Sequence, residues 1–105
     1  MFIPQKQQVD HYFQTCYNRP MLEYFERIDQ LATECRRIQK ADVCMDLLKM
    51  CDAAHDIGVE LSKELVECRR RNKLSPRSQE LLERLEQAIA NVEKMLTFAK
   101  LMDAS

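Results

Sequence analysis

The sequence predicts an all-α protein: an antiparallel bundle of three main helices preceded by a short N-terminal one. Three observations carry this. One glycine and three prolines in 105 residues are too few for the hairpin turns of an all-β chain. Leu, Glu, Lys, Arg, Gln, Met and Ala dominate, and these side chains lose little rotamer freedom in a helix. Apolar residues recur at steps of three and four along most of the chain. The length suits one domain, 1–105, which can bury roughly two thirds of the surface its unfolded chain exposes. Hydrophobic residues at 46% and charged residues at 31% are the composition of a folded chain.

The first helix is expected over residues 5–17, "QKQQVDHYFQTCY". Val9, Tyr12, Phe13, Cys16 and Tyr17 fall near one face there, and Pro4 suits a first helical position. "YNRP" breaks the pattern; Asn18 can cap the next helix and Pro20 fits a first turn. The second helix, 20–40, carries Tyr24, Ile28, Leu31, Cys35 and Ile38 on one stripe. After residue 43 the apolar positions move to the opposite side of the same projected helix, so a tight turn is expected near "QKAD", with Asp42 as the next N-cap.

The third helix, 42–73, has the widest apolar arc. Val43, Leu47, Met50, Ala54, Ile57, Leu61, Leu65 and Cys68 form one flank, and Leu48, Val59 and Val66 the other. Cys44, Cys51, Gly58 and Ser62 run between them, with His55 close by. Such an arc predicts packing against two helices at once. Asp52, Asp56, Glu60, Lys63 and Glu67 make the solvated face. Arg69, Arg70, Arg71 and Lys73 sit where cations favour a helix carbonyl end. Ser75 and Pro76 then start the last helix, 76–102. Leu82, Leu85, Ile89, Val92, Leu96 and Ala99 form its heptad seam, widened by Leu81, Ala88, Met95 and Met102.

Composition also narrows function. A net charge of −1 supplies no field for nucleic acid or an anionic membrane. "CRRRNK" lies at a helix C-terminus, the wrong end for phosphates, so nucleic acid is disfavoured. No apolar run reaches the ~18 residues of a membrane span. The start "MFIPQKQQVDHYF" lacks the basic, apolar and small-residue pattern of a signal peptide. With the odd count of five cysteines, this predicts reduced thiols and a cytoplasmic location. Two histidines, His11 and His55, with no glycine-rich loop and no base spaced to activate a Ser or Cys, predict no enzyme.

Cys44, Cys51 and His55 lie within about 40° on the helical projection. Cys51 and His55, four apart, could share a soft metal, with Cys35 as a donor from another helix. Cys44 and Cys51 are about 10 Å apart along the axis, beyond the ~4.4–6.8 Å of a disulfide. The bland account is a seam of small residues that lets helices approach, since free cysteine behaves as a small hydrophobe. That account is preferred, and no cofactor is expected. The runs "RIDQLATECRRI" and "VCMDLL" resemble parts of copper-sensing helical repressors. The resemblance stops where that family has a His-x-x-x-Cys pair late in its long helix; "LVECRRR" holds Cys68 and no histidine.

The function expected is therefore binding of another protein, by a small regulator, adaptor or secretion-type chaperone that packs through a helix face. A second copy of the chain is one candidate partner. The alternative is a thiol- or metal-responsive sensor using Cys35, Cys44, Cys51 and His55. The contact residues expected are Phe2, Ile3, Tyr12, Phe13 and Tyr17 on the first segment, and Phe98 and Leu101, which project off the last seam.

Overall fold

The structure is a computed structural model and describes residues 19–73 and 75–104. The expected helix over 5–17, the Asn18 cap, and the contact residues Phe2, Ile3, Tyr12, Phe13 and Tyr17 lie outside the described residues. Among those described the fold is all-α: α1 (Arg19–Cys35), α2 (Ala41–Arg71) and α3 (Pro76–Ala104).

Cross-helix contacts fix the directions. Phe25 of α1 meets Gly58 and His55 of α2, while Cys35 meets Cys51, so these helices run antiparallel. Arg77 of α3 reaches Glu60, and Ser75 reaches Glu64, so α3 turns back along α2. α1 and α3 are then parallel: Tyr24 donates to Glu86, Arg27 to Glu93 and Lys100 to Glu34. The central α2 packs on both neighbours, as the width of its apolar arc predicts.

α1 ends at Cys35, short of the expected residue 40. Its ladder tightens there, with Arg37 N donating to Glu34 O and Ile38 N to Cys35 O, both at 3.1 Å. These i→i−3 bonds close the last turn. Ile38 nonetheless stays on the core side and is buried, so the apolar stripe outlasts the helix. α2 starts one residue before the expected cap. Cys44 N bonds to Lys40 O, Lys40 is the N-cap, and its side chain makes no capping bond. Asp42 is instead the second helical residue. Its carboxylate accepts from Val43 N at 3.0 Å and sits in the first turn, where negative charge suits the helix dipole.

The C-terminus of α2 closes on Asn72, with φ 55° and ψ 40° in the left-handed region. Asn72 N donates to Arg69 O and Lys73 N to Cys68 O, a Schellman closure in which asparagine stands in for the usual glycine. Ser75 then caps α3: Ser78 N donates to Ser75 Oγ at 3.1 Å. Ser75 Oγ itself donates to Glu64 Oε1 at 2.8 Å, which ties the turn back to α2.

The core line of α2 is Leu47, Cys51, Ala54, Gly58, Leu61, Leu65 and Cys68, at alternating steps of four and three. Facing it are Met21, Ile28, Leu31 and Cys35 from α1, and Leu81, Leu85, Ile89, Val92, Leu96 and Ala99 from α3. Four positions depart from the sequence expectation. The seam of α3 passes through Leu81, with Leu82 only half-buried at its edge. Met95 and Met102 are exposed, not core. Val66 of the second α2 flank is also exposed.

Candidate functional site

The four residues considered as metal or thiol ligands are not brought together. Cys35 and Cys51 do meet, across α1 and α2, with their sulfurs 4.0 Å apart and both side chains buried. Cys44 is half-buried, and His55 is exposed, its ring tilted at 55° against Phe25 with centroids 5.2 Å apart. Among the described residues no group of three or more His, Cys, Asp or Glu side chains is placed to hold a metal ion.

The environment of the Cys35–Cys51 pair suppresses thiolate chemistry. Burial pushes the Cys35 thiol up to about 12, helped by the neighbouring Cys51 and Cys44. Burial raises Cys51 as well, against a lowering contribution from its contact with Cys35. Cys35 and Cys51 are two small, buried sulfur side chains packed where α1 and α2 approach. Gly58 acts similarly two turns on. A Cβ built there would lie 2.9 Å from Phe25 Cε1, so its absence admits the Phe25 ring against the α2 backbone.

The apolar surface outside the core is more informative. Phe98 and Leu101, off-seam by their phase in the sequence, are 54% and 63% exposed. Met95 and Met102 join them on the last turns of α3. Phe98 lies about 160° around α3 from Lys100, at 100° per residue, and Lys100 is one of the α3 residues that reach α1. This face therefore points away from the first helix. Met95, Phe98 and Met102 repeat at steps of three and four, the spacing of a short helix-pairing seam. The signal is present in the sequence, because Met95 and Met102 stand beside Phe98 on the projection, but their heptad relation to Leu81 and Ala88 assigns them to the core.

Leu22 on α1 and Val66 on α2 are exposed as well. Val66 also borders a shallow concavity of about 360 Å³ lined with Leu65, Arg69 and Arg70. Another, of about 340 Å³, lies where α1 ends beside α3, among Glu34, Arg37, Ile38, Lys100 and Asp103. Three of its charged side chains are engaged: Lys100 pairs with Glu34, and Asp103 accepts from Gln39 N at 2.9 Å. No helix among the described residues is long and apolar enough to cross a membrane. Comparison with protein-family models, with curated proteins and with solved structures returns no match.

Proposed function

We propose that this chain is a protein–protein interaction module whose contact surface is the outward face of α3, formed by Met95, Phe98, Leu101 and Met102. The observation that carries the reading is the exposure of these four large apolar side chains on consecutive turns of one helix. Fully burying a side chain of this size is worth about 1.5–3 kcal/mol, so a partner helix that covers them gains a substantial driving force. Methionine suits such a face because its flexible thioether adapts to the surface it meets. A second copy of the chain is the first partner to test. The 3–4 spacing of Met95, Phe98 and Met102 fits a like helix, and two copies meeting there would bury the same patch on both sides.

A regulator, adaptor or chaperone role in the cytoplasm is consistent with the same surface, without catalysis. The sensor reading has less support, since Cys35 and Cys51 are buried and no group of three or more His, Cys, Asp or Glu side chains among the described residues is placed to hold a metal ion. A photo-crosslinker replacing Phe98, with Ala53 on the exposed side of α2 as the control position, tests the proposal. Crosslinked dimer from position 98 and none from position 53 supports it. Equal yields from both positions contradict it.

A further inference from the structure

Cys35 and Cys51 belong to different helices and stand 16 positions apart in sequence, yet their sulfurs lie 4.0 Å from each other. Cys35 is the last residue of α1, Cys51 is on the core line of α2, and both are buried. A disulfide holds its sulfurs about 2.05 Å apart, so the pair is about 2 Å from bonding distance. Turning the two sulfurs about their Cα–Cβ bonds reduces that gap. The other described cysteines are worse placed to reach Cys51. Cys44 is about 10 Å from it along the axis of α2, at 1.5 Å per residue, and Cys68 about 25 Å. The Cys68 sulfur faces Glu64 and Ser75 instead.

Residues 36–40 reverse the chain between α1 and α2. A bond between Cys35 and Cys51 therefore closes a short loop, whose closure costs little chain entropy. It fastens the end of α1 to α2 and removes from the unfolded chain the conformations in which the two helices separate. Both sulfurs are shielded in the folded bundle, so exchange with an outside reagent starts in an opened chain and finishes on closure. The same shielding then keeps a reductant from the completed bond.

We propose that Cys35 and Cys51 form an oxidation site at which a low-molecular-weight disulfide, R–S–S–R, links α1 covalently to α2. In the opened chain the Cys35 thiol releases its proton to solvent, and the thiolate attacks one sulfur of the reagent. A bond forms between Cys35 Sγ and that sulfur, the S–S bond of the reagent breaks, and the leaving thiolate takes up a proton as R–SH. As the helices close, Cys51 gives up its proton and attacks Cys35 Sγ, and a second R–SH leaves. Two cysteine thiols and one R–S–S–R thus give one protein disulfide and two R–SH, with two electrons passing to the reagent. Cys44 and His55 take no part. The Phe98 face lies on another helix, so its role as a contact surface does not depend on this site.

The test starts from the full-length chain, reduced and unfolded, and equilibrates it with mixtures of oxidised and reduced glutathione, once in native buffer and once in denaturing urea. Free thiols are then alkylated and the protein is digested with trypsin. Cleavage after Arg and Lys puts Cys35, Cys44 and Cys51 on separate peptides, 28–36, 41–49 and 50–63. Mass spectrometry is expected to find 28–36 linked to 50–63 as the main protein disulfide in native buffer. The equilibrium constant for that bond should be at least about tenfold larger there than in urea, and the oxidised protein should melt at a higher temperature than the reduced one. Cys44→Ser should leave the yield unchanged. Absence of the linked pair in native buffer overturns the proposal, as does a predominance of links through 41–49. Equal equilibrium constants in native buffer and urea also overturn it, because the bond then reflects closeness along the chain and not the fold. A yield lost in Cys44→Ser, or an oxidised protein that melts below the reduced one, does the same.

Discussion

Gly58→Ala sets two effects of similar size against each other. Alanine in place of glycine inside a helix is worth about 0.8–1.0 kcal/mol in propensity, which alone would stabilise α2. The new Cβ, however, would stand 2.9 Å from Phe25 Cε1 and 3.1 Å from Cζ. Ordinary carbon contact is about 3.5–4.0 Å, so the ring has to withdraw by roughly half an ångström or more. It is half-buried and bears on His55, and forcing an extra methyl into such a contact typically costs about 1–3 kcal/mol. The expected result is that Gly58→Ala destabilises the protein by about 0–2 kcal/mol. In a Phe25→Ala background the obstruction is gone, and the same substitution should stabilise by up to about 1 kcal/mol. Urea denaturation of the four proteins of this double-mutant cycle measures the coupling directly. A stabilisation of about 1 kcal/mol by Gly58→Ala in the wild-type background would refute the argument, because Phe25 could not then be seated on Gly58.

The further predictions concern the buried thiols and the Ser75 cap. Cys35 and Cys51 should react with an alkylating reagent only as the protein unfolds, with half-buried Cys44 ahead of both; mass spectrometry of a timed reaction gives the order. Because the folded Cys35 and Cys51 thiols titrate above the unfolded value of about 8.5, they bind protons that the unfolded chain has lost. Their contribution to stability should be fully present below about pH 8.5 and decline as pH rises through the folded values, which lie above the ordinary thiol value for both and reach about 12 for Cys35. A stability that rises from pH 9 to 11 would contradict this. Cys51→Ser should cost more than Cys51→Ala, by urea denaturation, because it buries a hydroxyl in an apolar seam. Ser75→Ala should cost about 1–2 kcal/mol, since Ser75 Oγ both caps Ser78 N and donates to Glu64. Ser75→Asp should cost more than its capping ability suggests, because it places a second carboxylate against Glu64; thermal melts of both variants rank the two effects.

Much of the fold was legible because helix periodicity is a property of the local chain. The seam of α2, the Ser75–Pro76 start and the cationic end at Arg69–Arg71 all derive from spacing and capping chemistry. The details that were not legible depend on where a neighbour stops. Ile38 keeps the apolar phase of α1, so the pattern could not show that the helix ends at Cys35. Val66 belongs by phase to the apolar arc of α2 and is nonetheless exposed, which periodicity alone does not show. Leu81 and Leu82 are adjacent candidates for one seam, and the choice depends on how α3 rolls against α2. In the candidate site, Phe98 and Leu101 were readable from their phase. The Cys35–Cys51 contact needed the tertiary fold, which also turns His55 away from it toward Phe25.

The interaction face of α3 is tested most directly by sedimentation equilibrium of the wild type, Phe98→Asp and Leu101→Asp over a range of concentrations, with circular dichroism on the same samples. The account predicts that the wild type self-associates, and that both variants shift toward monomer while keeping the helical spectrum and nearly the wild-type melting temperature. A wild type that stays monomeric at every concentration, with both variants losing thermal stability sharply, would contradict it and place these side chains in the core.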